Sequence, residues 1–215
     1  MSIPAQRTAQ VRLGAHVEIL TVAWMVVEAV LALGAGLVAE SLLLVAFGAD
    51  SVIELVSGGI LLWRLAVEER GGTLARVNRA ELGAAWVVAV CLALLCLYVL
   101  VSAGYGLLTQ AKPDQSLVGI LVAAAAVVVM PGLGLIKRHL AAQLDSDALR
   151  GDAASSFTCG YMAATVLVGL GLNGLFGWWW AEYLAALVFL IWLGLETKEA
   201  FEEARERSGK GDRDH

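Results

Sequence analysis

Long apolar runs separated by short charged stretches make up most of this chain. Three of the runs contain no charged residue, and they cover 30 residues at 82–111, 22 at 115–136 and 29 at 153–181. A helix that crosses a bilayer needs about 20 predominantly apolar residues. Because lipid offers the backbone no hydrogen bonds, runs of this length are expected to be helices, and no stretch alternates as a barrel strand would. The pattern predicts transmembrane helices.

Six such helices account for the apolar segments, so the predicted fold class is an all-α membrane protein with six transmembrane helices. Residues 1–15 would form a polar cytoplasmic segment without the features of a cleavable signal, 16–200 the transmembrane domain and 201–215 a charged cytoplasmic tail. The predicted helices cover residues 16–38, 41–66, 82–108, 116–138, 147–172 and 178–200.

Charged residues make up only 16% of the chain, against roughly 25% in soluble domains. On the predicted topology, fourteen of the fifteen Lys and Arg residues fall on one side of the membrane, and Lys112 falls on the other. Cytoplasmic loops are enriched in these residues. We therefore predict an integral multi-pass protein of a bacterial inner (plasma) membrane, with both termini in the cytoplasm.

Several classes of function find no support in the sequence. No basic stripe suggests a nucleic-acid partner, and the net charge is −5. The three cysteines lie inside apolar runs and form no disulfide framework. Because no nucleophile–base pair or cofactor motif is present, the protein is not expected to be an enzyme or to hold a tightly bound cofactor.

Two acidic residues in the second predicted helix point to a cation site. An ionised side chain at mid-membrane costs roughly 2.5–3.5 kcal/mol on insertion scales, and such residues often mark ion pathways. Asp50 and Glu54 are four residues apart, so a helix places both carboxylates on one face. A shared cation or proton would relieve their repulsion. We interpret Asp50 and Glu54 as ligands of a metal ion.

Two further acids are tentative members of this site. Glu28 stands alone in the first predicted helix, where a pathway role and a structural hydrogen bond to a neighbouring helix are both open. Asp152 lies two residues from Arg150 near the start of the fifth predicted helix, where an interfacial role is the alternative to metal binding.

A weak internal echo relates the second and fifth predicted helices. Aligned without gaps, residues 41–54 and 146–159 share four identities, and Glu54 is then paired with Cys159. The two helices would run in opposite directions, as in the inverted repeats of transporters, and chance similarity is the alternative. A thiolate suits zinc, so Cys159 is a tentative third ligand, although buried cysteines are usually inert apolar residues.

Four segments resemble the cation diffusion facilitator (cation efflux) family. Residues 36–41 (Gly-Leu-Val-Ala-Glu-Ser) and 47–57 (Phe-Gly-Ala-Asp-Ser-Val-Ile-Glu-Leu-Val-Ser) resemble its helix two, and residues 146–153 resemble its helix-five entry. Residues 177–186 look like its helix-six entry, where Asp is usual in place of Glu182. The resemblance implies a six-helix, commonly dimeric protein that exports zinc or a related divalent metal in exchange for protons.

The resemblance also has departures. Asp50 and Glu54 match the helix-two half of the family's site. Ser155 stands where the family usually has His or Asp, and Cys159 where it has Asp. The family's usual cytoplasmic C-terminal domain has no counterpart in this sequence. We therefore expect a shortened, divergent branch in which Cys159, with the other tentative residues, completes the site.

The leading hypothesis is a divalent cation transporter, with zinc favoured, that works by proton-coupled efflux and alternating access. Its partners would be metal ions, protons, the lipid bilayer and a second copy of the chain. One alternative is a non-transporting membrane protein that binds metal or partner proteins. Another is a proton-coupled exporter of organic cations that uses Glu28, Asp50 and Trp24.

Overall fold

The computed structural model describes residues 3–69, 75–144 and 147–211, and these residues form six α-helices. The predicted all-α, six-helix fold is confirmed. Ser146, which opens the predicted helix-five motif, lies outside the described residues. The helices are α1 (Ile3–Val38), α2 (Leu42–Glu69), α3 (Ala75–Thr109), α4 (Leu117–Leu144), α5 (Asp147–Phe176) and α6 (Trp179–Gly211).

Five of these helices, α1 to α5, are long and apolar enough to cross a membrane. The remaining helix, α6, packs beside them. The candidate spans are Arg12–Val38, Leu42–Ile60, Ala85–Thr109, Leu117–Leu144 and Leu149–Phe176. Helix α6 has an apolar first half that contains Glu182 and Glu196, and it packs against α3 and α5. The protein is therefore an integral multi-pass membrane protein.

Both terminal helices run beyond their predicted limits. Helix α1 begins at Ile3 rather than near residue 16, and α6 continues to Gly211 through most of the segment expected to be a frayed tail. The extension of α6 packs on the first turns of α3. Phe201 meets the Trp86 ring edge-on, and the Trp86 indole N–H donates a hydrogen bond to Ser208 Oγ at 3.2 Å. These tertiary contacts stabilise the helical conformation of the charged segment.

The most extensive helix contacts join α1 to α2, α4 to α5 and α3 to α6. Large apolar side chains from α2, α4, α5 and α6 fill the centre, among them Phe47, Met130, Met162 and Phe189, all of them fully or almost fully buried. Many valines and leucines on the outer faces are exposed. An outward apolar surface of this kind suits contact with lipid.

The turn between α1 and α2 depends on a close backbone approach at Gly36. Glu40 adopts a φ of 51°, and the Ser41 amide N–H donates to the Gly36 carbonyl at 3.0 Å. A Cβ atom on Gly36 would lie 2.7 Å from the backbone nitrogen of Val45 on α2. Small residues at such crossings let membrane helices approach closely. Gly36 therefore sets the spacing of this helical hairpin.

We predict that Gly36→Ala lowers stability by about 1–3 kcal/mol, because the added methyl group meets backbone that cannot move aside. Gly34→Ala is the matched control, since a Cβ at Gly34 meets nothing within 4 Å. It should leave stability unchanged or raise it slightly through helix propensity. Thermal unfolding in detergent micelles measures both, and equal midpoints would contradict the role given to Gly36.

Candidate metal centre

Three carboxylates from two helices meet inside the bundle. Asp50 and Glu54 lie one turn apart on the inner face of α2, and Glu196 faces them from α6. One oxygen of each group lies within 4.8 Å of the others. Asp50 is fully buried, Glu54 is 6% exposed and Glu196 is partly buried. We call these three residues the metal centre.

Helix packing explains why the three side chains converge. The i, i+4 spacing on α2 aligns Asp50 with Glu54, as the sequence predicted. On α6, the buried residues Phe189 and Leu193 precede Glu196 on the same face and hold that face against the core. Glu196 is the next residue of the series and so points toward α2.

Most of the oxygens of the metal centre accept no hydrogen bond. Within the described part of the chain, both oxygens of Asp50, Oε2 of Glu54 and Oε2 of Glu196 lack a donor. The exceptions are Glu54 Oε1 and Glu196 Oε1, which lie 2.6 Å and 3.4 Å from the Ser155 hydroxyl on α5 and can accept its hydrogen bond. Buried, unpaired carboxylates are costly unless a cation or proton joins them, so the arrangement can hold a positively charged species.

Cys159 lies one turn beyond Ser155 on α5 and is fully buried. Its Sγ is 3.7 Å from Glu28 Oε1. The structure thus places Cys159 against Glu28, one turn from the serine that contacts the metal centre. It is placed to donate a hydrogen bond or, as a thiolate, to bind a metal ion.

Glu28 is fully buried and is surrounded by hydrogen-bond donors. Its carboxylate accepts hydrogen bonds from Trp24 Nε1 and from Ser51 Oγ, each at 2.7 Å, in addition to the Cys159 thiol. Two of these donors lie on other helices, α2 and α5. The contacts are those of a structural hydrogen-bond acceptor, one of the two roles that the sequence left open for Glu28.

Asp152 lies outside the metal centre. Its Oδ2 is 2.5 Å from Nζ of Lys137 on α4, and the same ammonium group is 3.0 Å from Glu18 Oε2 on α1. Lys137, expected at the cytoplasmic end of the fourth helix, is fully buried. The structure therefore separates Asp152 from Asp50 and Glu54 and gives it a charged partner in the protein.

Sequence reasoning missed Glu196. It falls inside the predicted sixth helix, but Lys198 and a run of glutamates follow it, so it reads as the start of the charged tail. The signal that could have found it is its position before the first basic residue of that segment. Glu182, the other acid of the same helix, has a separate place. It accepts hydrogen bonds from Ser41 Oγ at 2.6 Å and Asn173 Nδ2 at 2.8 Å.

The fold and the three carboxylates together define a class: a multi-pass membrane protein with a cluster of buried acidic side chains between its helices. A comparison with protein families identifies which one. The family model described as "Cation efflux transmembrane domain" matches residues 19–207. The chain belongs to the cation efflux family, as the resemblance in the sequence indicated.

One curated relative is the cation-efflux pump FieF of Shewanella oneidensis. The two sequences are 27% identical over 94 residues. This match covers 44% of the present chain and 31% of the relative. The chain therefore spans about a third of the length of that pump.

We predict that Glu196→Gln weakens divalent cation binding at least tenfold, about 1.4 kcal/mol, because it removes one of the three negatively charged ligands. The matched control is Glu206→Gln, which changes an exposed acid further along the same helix. Titration calorimetry of the purified protein measures both affinities. Wild-type affinity in Glu196→Gln would exclude this carboxylate as a ligand.

Proposed function

We propose that this protein transports a divalent metal cation across the membrane and binds it at Asp50, Glu54 and Glu196. The observation that carries the proposal is the set of oxygens within 4.8 Å of one another, several of which have no donor although they are buried. A divalent cation would supply the positive charge that these oxygens lack. Membership in the cation efflux family supports the same function.

The choice of metal follows from the donors. Carboxylate and hydroxyl oxygens bind zinc and also manganese or other divalent ions, whereas a thiolate favours zinc. Cys159 is buried one turn from Ser155 on α5, and its Sγ lies 3.7 Å from Glu28 Oε1. We propose zinc as the preferred cargo, with Cys159 as an additional ligand when its thiol is deprotonated.

Proton coupling would arise at the same carboxylates. A carboxylate must lose its proton to hold a metal ion, so metal and protons compete for the metal centre. Protons that enter from the outer side would release the metal there, and deprotonation on the cytoplasmic side would restore the site. This competition makes the protein an antiporter that exports metal.

Alternating access would follow from the distribution of the ligands over helices. Asp50 and Glu54 lie on α2, Glu196 on α6 and the Ser155 hydroxyl on α5. A shift of α2 relative to α5 and α6 would widen the site toward one side of the membrane and close it toward the other. The cation would stay near one depth while the helices move around it.

The membrane setting is proposed from the sequence. The distribution of Lys and Arg supports cytoplasmic termini, and the commonly dimeric state of the family supports a homodimer in a bacterial inner membrane. These features would place the charged end of α6 in the cytoplasm.

Proteoliposomes with a set pH gradient test transport directly. We predict that Glu54→Ala reduces zinc flux at least tenfold, since it removes a metal-binding carboxylate whose position is fixed by the hydrogen bond from Ser155. Glu206→Ala, an exposed change on α6, is the control and should keep wild-type flux. Equal flux in wild type and Glu54→Ala would refute the assigned site, and binding without flux in the wild type would favour the non-transporting alternative.

Metal affinity should fall as the pH is lowered, because protons occupy the carboxylates that the metal needs. We expect Glu54→Gln to flatten this dependence, since one exchangeable proton is lost, while Glu206→Gln keeps the wild-type slope. Binding isotherms across a series of pH values give the slope for each protein. An affinity independent of pH in the wild type would contradict proton competition.

A further inference from the structure

A second group of buried charged residues lies apart from the metal centre. Glu18 on α1, Lys137 on α4 and Asp152 on α5 meet at one point, and we call them the buried triad. The Lys137 ammonium lies 3.0 Å from Glu18 Oε2 and 2.5 Å from Asp152 Oδ2. Glu18 and Lys137 are fully buried, and the Asp152 side chain is 19% exposed.

The buried triad lies about one helical turn from the metal centre. Along α2, Gly58 follows Glu54 by four residues, and a Cβ on Gly58 would lie 3.0 Å from Glu18 Oε1. Along α5, Asp152 precedes Ser155 by three residues, which is close to one turn. Both steps lead toward the end of the bundle that the Lys and Arg distribution predicts to be cytoplasmic. The buried triad therefore lies on the predicted cytoplasmic side of the metal centre.

The two carboxylates of the triad are bridged by a positive charge from the protein itself, the Lys137 ammonium group. Carboxylate oxygens from two helices point at a single positive centre, which is the arrangement that a divalent ion also requires. Lysine is a compact charge on a flexible four-carbon stem, so the ammonium group can withdraw while its backbone stays in place. The Glu18 Oε1 atom accepts no hydrogen bond among the described residues and remains open to a second partner.

We propose that Glu18 and Asp152 form a second cation-binding site, which the Lys137 ammonium fills in this conformation and the transported divalent cation fills in another. The cation displaces the ammonium, rests between these two carboxylates and then moves one turn further to the metal centre. This inference rests on the proposed transport function for its purpose, but the binding site itself can be tested without transport.

The test uses a background in which the metal centre is removed by Asp50→Asn and Glu54→Gln. Zinc binding to the purified protein is measured by calorimetry with and without Lys137→Met, which removes the competing ammonium and keeps an unbranched side chain of similar length. We expect one additional zinc ion per chain when Lys137→Met is present, and its loss when Glu18→Gln is added. No additional zinc ion in a folded Lys137→Met protein would overturn the proposal.

The matched control is Lys198→Met in the same background. Lys198 also pairs with a carboxylate, Glu202 at 3.6 Å, but both side chains are mostly exposed. It should add no zinc site, and an equal gain from Lys198→Met would overturn the proposal. Zinc that still binds to the background protein would instead refute the assigned metal centre, while the increment caused by Lys137→Met would still decide on the second site.

If Lys137→Met does not give a monodisperse protein, Glu18→Gln alone decides. This variant keeps the pair between Lys137 and Asp152 and leaves the metal centre unchanged. We expect the half-saturating zinc concentration for transport from the cytoplasmic side to rise about tenfold, while the equilibrium affinity of the metal centre stays the same. An unchanged half-saturating concentration would overturn the proposal.

Discussion

Carboxylates enclosed in an apolar helical bundle need a positive charge or hydrogen-bond donors, since water is not there to solvate them. The buried acids among the described residues differ in the hydrogen-bond donors and positive charges that surround them. Glu28 has three donors, and Glu182 has a serine and an amide from neighbouring helices. Glu18 and Asp152 share an ammonium group. Asp50, Glu54 and Glu196 share one serine hydroxyl, and this shortage of partners is the reason for proposing them as a cation site.

The same requirement accounts for the way the helices are joined. The serine that immediately precedes α2 and an asparagine on α5 reach Glu182 on α6, and a lysine on α4 reaches acids on α1 and α5. Polar contacts of this kind hold the two ends of the bundle, whereas the middle is held by close apolar packing around Phe47 and Met162. The metal centre lies between the polar layers, at a depth where few protein groups compete for its oxygens.

Sequence reasoning recovered what depends on local spacing. Run lengths gave the helices, and the four-residue interval gave the shared face of Asp50 and Glu54. It could not find Glu196 as their neighbour, because that contact joins residues 142 positions apart through the packing of α6 on the core. Nor could it show that Lys137 is buried, because a lysine at the end of an apolar run usually marks an interface. The alignment that paired Glu54 with Cys159 placed α5 beside the site. In the structure Ser155 donates the hydrogen bond to Glu54, and the Cys159 thiol lies against Glu28 instead.

Helix α6 is continuous from Trp179 to Gly211, about 50 Å at 1.5 Å per residue. Glu196 therefore sits midway along a stiff rod whose far half rests on α3 through Trp86. The contact with α3 fixes the C-terminal half of this helix. Because an α-helix is stiff over this length, a change in how its C-terminal half packs on α3 would also shift the position of the Glu196 carboxylate.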